Sequence, residues 1–333
     1  MPSAAPDNSI REGERILAIC NACRYCEGYC PVFPAMERRV SFSAADLNYL
    51  ANLCHNCSEC YYACQYAPPH EFGVNVPKTL AAIRVQSYRQ YAWRSVPAWL
   101  IVAILAAFVF LLAKPGPSAG FYGVVSHRTM VAIFVPIAVF VLVAIFVGWL
   151  RLWRESARPA SDFLNLRALK QASADSLFLR YLHGVRRGFH HLTFYGFWLC
   201  FAATSVAAIY HYVFGWIAPY GYFSLPVILG TLGGIGLLIG PAGLFWQHRS
   251  QKETRDPSQT RLDVPFIFLL FFTSFTGLLL LALRETHWMP ALLIVHLAFV
   301  LAFFLMLPYG KFVHGIYRMA ALIRYSLERS PEN

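Results

Sequence analysis

The sequences CNACRYCEGYCP at residues 20–31 and CHNCSECYYAC at residues 54–64 are the most informative stretches of this chain. Each stretch spaces its cysteines as C-x2-C-x2-C-x3-C, and together they hold eight of the nine cysteines. This spacing lets a short segment wrap around an iron–sulfur cubane and present thiolates to three neighbouring iron atoms. The duplicated motif therefore predicts two 4Fe–4S clusters and points to electron transfer.

The fourth cysteine of each stretch lies too far along the chain to close the same cluster easily, and in two-cluster ferredoxins it binds the other cluster. We therefore expect one ligand set of Cys20, Cys23, Cys26 and Cys64, and a second set of Cys54, Cys57, Cys60 and Cys30. Zinc is a weaker interpretation, because zinc sites take their cysteines in two pairs. Disulfides need an oxidising compartment, and residues 1–15 lack the apolar segment of a signal peptide.

The composition predicts a membrane protein with a small extramembrane head. Hydrophobic residues make up 57% of the chain and charged residues 14%, against roughly 45–50% and about 25% in soluble proteins. Apolar runs of about the length that crosses a bilayer occur at residues 96–113, 129–150, 190–212, 222–246, 264–283 and 289–309. We therefore predict an all-α membrane protein, in which a six-helix transmembrane bundle (residues 96–333) follows an N-terminal α-helical two-cluster ferredoxin domain (residues 1–95).

The distribution of lysine and arginine predicts the orientation of the bundle. Segments on the side of the head carry many basic residues near the spans, whereas the opposite loops hold only Lys114, Arg128 and Arg284. Basic residues mark the cytoplasmic side, so we expect the head and both termini to be cytoplasmic. The same topology explains the formal net charge of +11. No nucleic-acid-binding motif accompanies that charge, so we expect no nucleic-acid partner.

Histidines in the expected spans suggest haem b, because ionisable residues within a membrane are functional candidates. His296 and His314 are 18 residues apart, which is about five helical turns, so one continuous helix would present both on the same face. On the third span, His190 lies about 60° from the helical phase of His211, and His191 about 160°. We expect His190 rather than His191 to be the ligand, with His191 kept as the alternative.

Antiparallel third and sixth spans would pair these histidines at two depths. His190 would face His314 near the head, and His211 would face His296 near the opposite surface. Opposed imidazoles at each depth would suit axial ligation of haem b, and we expect two haems. We assign no role to His127, and we expect His55, which follows Cys54, to be a surface histidine.

Two further features of the apolar spans have structural interpretations. Gly234-Ile-Gly236-Leu-Leu-Ile-Gly240 has the spacing of a dinucleotide-binding fingerprint, but it lies inside an apolar span with no strand before it. Gly233, Gly236 and Gly240 instead predict a smooth face for helix packing. Cys200, the ninth cysteine, is expected to be a small core residue. With no flavin site visible, substrate oxidation is expected on another polypeptide.

The chain resembles the tricarballylate (citrate) utilisation protein B family over essentially its whole length. The resemblance rests on the two cysteine runs, on Arg187-x-x-His190 leading into Phe194-Tyr-Gly-Phe197, on His211, and on His296-x17-His314. The membrane half also resembles the gamma subunit of respiratory nitrate reductase and the membrane subunits of heterodisulfide reductases. One departure from the bacterial ferredoxin pattern is Gln65, which stands where a proline would follow Cys64.

The resemblance implies a partner and a direction of electron flow. The partner would be an FAD-dependent dehydrogenase of the tricarballylate dehydrogenase type, whose reduced FAD this protein would reoxidise. Electrons would pass through the 4Fe–4S clusters and haem b to the quinone pool of a bacterial inner membrane.

Two other functions remain possible from the residues alone. The chain could be a self-contained membrane oxidoreductase or redox sensor, although eight cysteines for two four-ligand clusters leave no iron open. A transporter would be expected to bury acidic residues at mid-membrane, and the expected spans contain no Asp or Glu. The relay hypothesis explains the most residues.

Overall fold

The structure is a computed structural model that describes residues 8–92, 104, 107–108, 120–156 and 158–329. Within these residues every regular element is a helix. The head contains α1 (Asn8–Cys23), α2 (Val32–Met36), α3 (Ala44–Leu53), α4 (Glu59–Tyr62) and α5 (Val76–Tyr91). The rest contains α6 (Phe121–Val124), α7 (His127–Glu155), a 3-10 helix (Ala160–Leu164), α8 (Leu166–Leu177), α9 (Gly184–Tyr212), α10 (Leu225–Ser250), α11 (Pro257–Leu283), α12 (Met289–Met306) and α13 (Val313–Arg329). The prediction of an all-α fold is confirmed.

Five helices, α7 and α9 to α12, are long and apolar enough to cross a membrane. They coincide with the last five expected spans, so the chain is a multi-pass membrane protein. The first expected span, residues 96–113, lies outside the described residues apart from residues 104, 107 and 108, which are helical.

Short polar residues determine where several helices begin. Ser43 and Asp46 form a capping box at the start of α3, because each side chain binds the other residue's backbone N–H. Asn75 accepts a hydrogen bond from a backbone N–H in the first turn of α5, and Asp256 does the same for α11. These caps satisfy backbone donors that have no partner within a helix.

The sixth expected span is shorter than predicted. The helix α12 ends at Met306, and a stretch of turns leads to α13, which begins at Val313. Pro308 cannot donate a backbone hydrogen bond to the preceding turn, and the N–H of Gly310 instead bonds the carbonyl of Met306 at 2.7 Å. His296 and His314 therefore lie on different helices, and the inference that they share one face of a continuous helix is wrong.

The head is docked onto the C-terminal helix by one continuous hydrophobic core. Leu47 and Leu50 of α3 are completely buried and belong to the same cluster as Leu322 and Ile323 of α13. Trp153 at the end of α7 joins this cluster. Burial of such side chains is the main favourable contribution to folding, and here it holds the cysteine-rich head against the base of the bundle.

The glycine face predicted for the fourth span is confirmed, because α10 packs backbone to backbone on α9. A Cβ atom built on Gly236 would lie 2.9 Å from the carbonyl oxygen of Leu192, and one on Gly233 would lie 2.8 Å from the backbone nitrogen of Cys200. Neither distance leaves room for a side chain, and small residues are what let membrane helices approach so closely. Cys200 lies at this contact, which agrees with the core role expected for it.

Candidate functional site

The eight cysteines of the head form the two sets expected from their spacing. Cys20, Cys23, Cys26 and Cys64 line one cavity, and Cys30, Cys54, Cys57 and Cys60 line another. Each run therefore contributes its fourth cysteine to the other run's set. Phe33 lines both cavities, so the two sets are neighbours.

Helix ends and left-handed residues bring the cysteines together. Cys20 and Cys23 lie in the last turn of α1, and Arg24 then takes a positive φ of 56°. In the second run, Asn56 and Ser58 have φ angles of 56° and 71°, which turn the chain sharply between Cys54 and Cys60. Such angles are uncommon outside glycine and mark a backbone held by its surroundings.

Hydrogen bonds to sulfur support the role of these cysteines as thiolate ligands. The backbone N–H of Asn56 donates to the Sγ of Cys54 at 3.3 Å. The amide of Gln65, which replaces the ferredoxin proline, donates to the Sγ of Cys23 at 3.7 Å. Donors of this kind stabilise negative charge on sulfur and tune the potential of a bound cluster.

Burial and neighbouring thiols raise the pKa of two cysteines in the first set. Burial, together with the neighbouring thiols of Cys64 and Cys23, raises the pKa of Cys26 to about 11. Burial and three neighbouring thiols raise the pKa of Cys20 to about 12. Metal ligation would reverse this trend, because a coordinating thiol is deprotonated outright.

A zinc ion and a cubane place different demands on their thiolate ligands. In the described part of the chain, no three His, Cys, Asp or Glu side chains converge closely enough to hold one metal ion. A zinc ion draws its thiolates to about 2.3 Å, whereas a cubane receives each thiolate on a different iron. Each set of four cysteines could offer a cubane one thiolate for each iron.

The structure brings His190 and His314 together at the base of the bundle. Their ring centroids are 6.2 Å apart. Two metal–imidazole bonds of about 2.0–2.1 Å would place the ring centres about 6.3 Å apart. The Nδ1 of His314 lies 2.7 Å from the carbonyl oxygen of Lys311, which leaves its Nε2 free, as is usual for a metal-binding histidine. The pair fits bis-imidazole ligation of a haem iron.

His191 does not take part in this arrangement. Its ring stacks on Tyr195, with centroids 5.5 Å apart and planes 7° from parallel. Because adjacent residues on a helix point about 100° apart, only one of His190 and His191 can face His314, and it is His190.

A large apolar cavity borders the His190–His314 pair. Its volume is about 770 Å³, within the range of cofactor-binding pockets. Both histidines line it, together with aromatic residues such as Phe146, Trp149 and Phe194. The cavity has the size and polarity that the apolar part of a porphyrin requires.

The second expected histidine pair is not formed. His211 stacks on His127, with ring centroids 4.0 Å apart and planes 29° from parallel, which leaves no room for a metal ion between them. His296 instead lies against Gly277 of α11, and its Nδ1 is 3.2 Å from the hydroxyl of Thr276. The prediction that His211 faces His296 assumed matched depth and one continuous sixth helix, and it could not include the rotation of each helix within the bundle. His127, to which no role was assigned, is the actual neighbour of His211.

Sequence reasoning also missed two residues between the cysteines and the histidines. The ring of His55, which follows Cys54, lies 6.2 Å from that of His190, so His55 is not an isolated surface residue. Arg318 is 7% exposed and lines both the second cysteine cavity and the apolar cavity. Burial lowers the pKa of Arg318 to about 10, so its guanidinium stays charged at neutral pH. The adjacency of His55 to Cys54 could have signalled His55, whereas nothing in the sequence signalled Arg318.

Comparisons with known proteins agree with this arrangement of a cysteine-rich head on a membrane domain. Residues 13–90 match the Fer4-like domain of citrate utilization protein B, and residues 91–333 match the citrate utilization protein B family itself. The chain is 46% identical to the citrate utilization protein B of Escherichia coli over 356 aligned positions, covering 96% of this chain and 92% of the relative. No solved structure matches the chain significantly. The Fer4-like match and the two cysteine sets indicate iron–sulfur clusters, and the chain belongs to the citrate utilization protein B family.

Proposed function

We propose that this protein is the membrane-bound electron relay of citrate or tricarballylate utilisation. Electrons from the reduced FAD of a partner dehydrogenase of the tricarballylate dehydrogenase type pass through two 4Fe–4S clusters and one haem b to the quinone pool. The head and both termini lie on the cytoplasmic side of a bacterial inner membrane, where a soluble dehydrogenase can reach them.

The observation that carries the proposal is the junction between the second cysteine set and the histidine pair. His55 is bonded directly to Cys54, and its ring lies 6.2 Å from that of His190. The ring of His190 is in turn 6.2 Å from that of His314. A continuous series of close contacts therefore leads from a cluster ligand to a haem ligand, as electron transfer between the two sites requires.

The order of the sites suggests the direction of transfer. Tyr25, which lines the cavity of the first cysteine set, is 64% exposed, so this set borders a surface at which a flavoprotein could dock. The second set shares Phe33 with the first and adjoins the histidines through His55. A two-electron donor such as reduced FAD needs one-electron carriers to deliver its electrons singly, and iron–sulfur clusters and haem are such carriers.

The residues of the chain have separate tasks in this relay. The eight cysteines hold the clusters, and His190 and His314 hold the haem iron. A bound haem would supply a one-electron couple at the edge of the bilayer. The apolar residues around the 770 Å³ cavity would exclude water from it, and exclusion of water tunes the potential.

The test is spectroscopy of the full-length protein, purified anaerobically in detergent. We expect about eight irons and eight acid-labile sulfides per chain from two cubanes, with one haem b by pyridine haemochrome. His314→Ala should abolish the low-spin haem signal and leave the iron–sulfur electron paramagnetic resonance signal intact. His211→Ala is the matched control and should retain the haem.

Three results would contradict the proposal. The first is zinc in place of iron in the purified protein. The second is a full haem content in both His190→Ala and His314→Ala. The third is a preparation with all centres loaded in which the reduced dehydrogenase fails to reduce the clusters, or in which added quinone fails to reoxidise them.

A further inference from the structure

A second, charged cavity adjoins the His190–His314 pair. Its volume is about 120 Å³, and both histidines line it as well as the larger apolar cavity. Its lining includes four cationic side chains, Arg84, Arg186, Lys311 and Arg318, and a single acidic one, Asp263. The histidine pair therefore lies at the boundary between an apolar space and a space with excess positive charge.

Only one of the four cations has a carboxylate partner in the described part of the chain. The Nζ of Lys311 lies 2.8 Å from Asp263. Arg84 and Arg318 donate hydrogen bonds to backbone carbonyls at the end of α3. Arg186 donates one bond of 3.3 Å to the side-chain amide of Gln251, and its buried Nε finds no hydrogen-bond partner among the described residues.

Buried positive charge of this kind calls for an anion. Charges removed from water are costly unless they are paired, and three guanidinium groups share this small space. Tyr88 and His248 also line the cavity, and within the described part of the chain the hydroxyl of Tyr88 and the Nε2 of His248 are buried without a hydrogen-bond partner. A guanidinium matches a carboxylate in shape and charge, so the cavity has the chemistry of a carboxylate site.

Haem b has the matching asymmetry, because its two propionates extend from one edge and the other edges are apolar. A macrocycle held between His190 and His314 would border both cavities. We infer that the charged cavity binds the two haem propionates, with Arg186 as a principal partner; this inference rests on the proposed haem ligation. The propionates thereby neutralise buried arginine charge, and the cavity sets the rotational orientation of the haem.

The test compares Arg186→Gln with Arg187→Gln in the full-length protein in detergent. Arg187 is the matched control, because it bears the same charge one residue away and donates instead to the carbonyl of Phe178. Loss of a charge-assisted hydrogen bond should make haem dissociation from Arg186→Gln about tenfold faster or more. Removal of the cation should also favour the oxidised haem by about tenfold, a 59 mV fall in midpoint potential for one electron. The dissociation rate and midpoint potential of Arg186→Lys should lie between those of Arg186→Gln and the unmodified protein. Arg187→Gln should match the unmodified protein in both.

A second measurement separates propionate binding from a general effect of charge. The protein is made in haem-deficient cells and reconstituted with haem b or with its dimethyl ester, which has no carboxylates. If Arg186 binds a propionate, Arg186→Gln should accelerate the loss of haem b and have little effect on the dimethyl ester. An equal effect on both haems would overturn the inference.

Addition of free citrate or acetate to the haem-loaded protein tests the alternative source of carboxylate. A saturable shift of the haem spectrum that disappears in Arg186→Gln would mean that the cavity takes a free anion, which would overturn propionate binding. Failure of the proposed function would look different, because the unmodified protein would then bind no haem or would keep it in His314→Ala. Haem bound through His314 and unaffected by Arg186→Gln would reject this inference alone.

Discussion

The ion-pair network between the head and the C-terminal helix should contribute strongly to stability. Arg39, which follows α2, lies 2.8 Å from Glu328 of α13 and 2.7 Å from Asp46 of α3. The side chains of Arg39 and Glu328 are each only 9% exposed. Arg324 of α13 completes the network at 2.9 Å from Glu328. The network joins the cysteine-rich head to the helix that begins beside His314.

Removal of one charge from this network should lower the free energy needed to open the head. Arg39→Met keeps most of the apolar stem and leaves Glu328 and Asp46 with Arg324 as their cation. Loss of one partner from a buried pair costs about 3–5 kcal/mol. Because Arg324 remains, we expect a destabilisation at the low end of this range, about 3 kcal/mol. At about 1.4 kcal/mol for each factor of ten, that corresponds to an opening equilibrium of the head roughly 100-fold more favourable.

Native-state hydrogen exchange of the full-length protein measures this opening. We expect the slow amides of α3 to exchange roughly 100-fold faster in Arg39→Met, since exchange reports local opening free energies. The control is Arg15→Met, because the Arg15–Glu12 pair has a similar distance of 2.7 Å but side chains 45% and 41% exposed. Such a surface pair contributes about 0–1 kcal/mol.

A double-mutant cycle with Glu328→Gln tests whether the effect of Arg39→Met comes from the Arg39–Glu328 ion pair. The two substitutions should be strongly non-additive, because they remove the same interaction. The reasoning would be refuted if Arg39→Met changed the exchange of α3 no more than Arg15→Met did, or if the costs of Arg39→Met and Glu328→Gln simply added.

Two further outcomes follow from local contacts. Burial raises the pKa of Asp46, but hydrogen bonds from Ser43 and Arg39 outweigh it and hold that pKa below the ordinary value of 3.8. The carboxylate therefore stabilises the fold above that value and loses its contribution as the pH falls through the lowered pKa. Exchange protection of α3 should decrease in this acid range, and less steeply in Asp46→Asn. In the bundle, Gly236→Ala should lower the thermal midpoint in detergent, because α9 and α10 must separate by some tenths of an ångström. Gly230→Ala, whose Cβ would make an ordinary 3.6 Å contact, should not; equal midpoints for the two variants would contradict the packing argument.

The cysteine sets could be predicted because their geometry is local. Two intervening residues force neighbouring thiolates to converge, and two copies of the motif can exchange their fourth ligands only in one way. Length and hydropathy were likewise sufficient for the last five spans, since a bilayer requires about 20 apolar residues whatever the fold. The small-residue face of α10 could also be predicted from the sequence, because glycine lets helix backbones approach each other closely.

The histidine network could not be derived in the same way. Depth and helical phase favoured His190, which the structure places opposite His314. The turns after Met306 removed the continuous helix on which the pairing of His211 with His296 depended. The position of a side chain across a bundle depends on the rotation and ending of every helix around it, and these are decided by packing.

The class of this protein, an iron–sulfur head on a multi-pass membrane domain, could therefore be predicted from the sequence, because both signatures consist of residues that lie close together along the chain. Three-dimensional packing alone brings His55 to His190 and places Arg186 and Arg318 around a charged cavity beside the His190–His314 pair. These residues come from α9, α13 and the cysteine loop, and no local rule sets the distance between side chains that are more than a hundred residues apart.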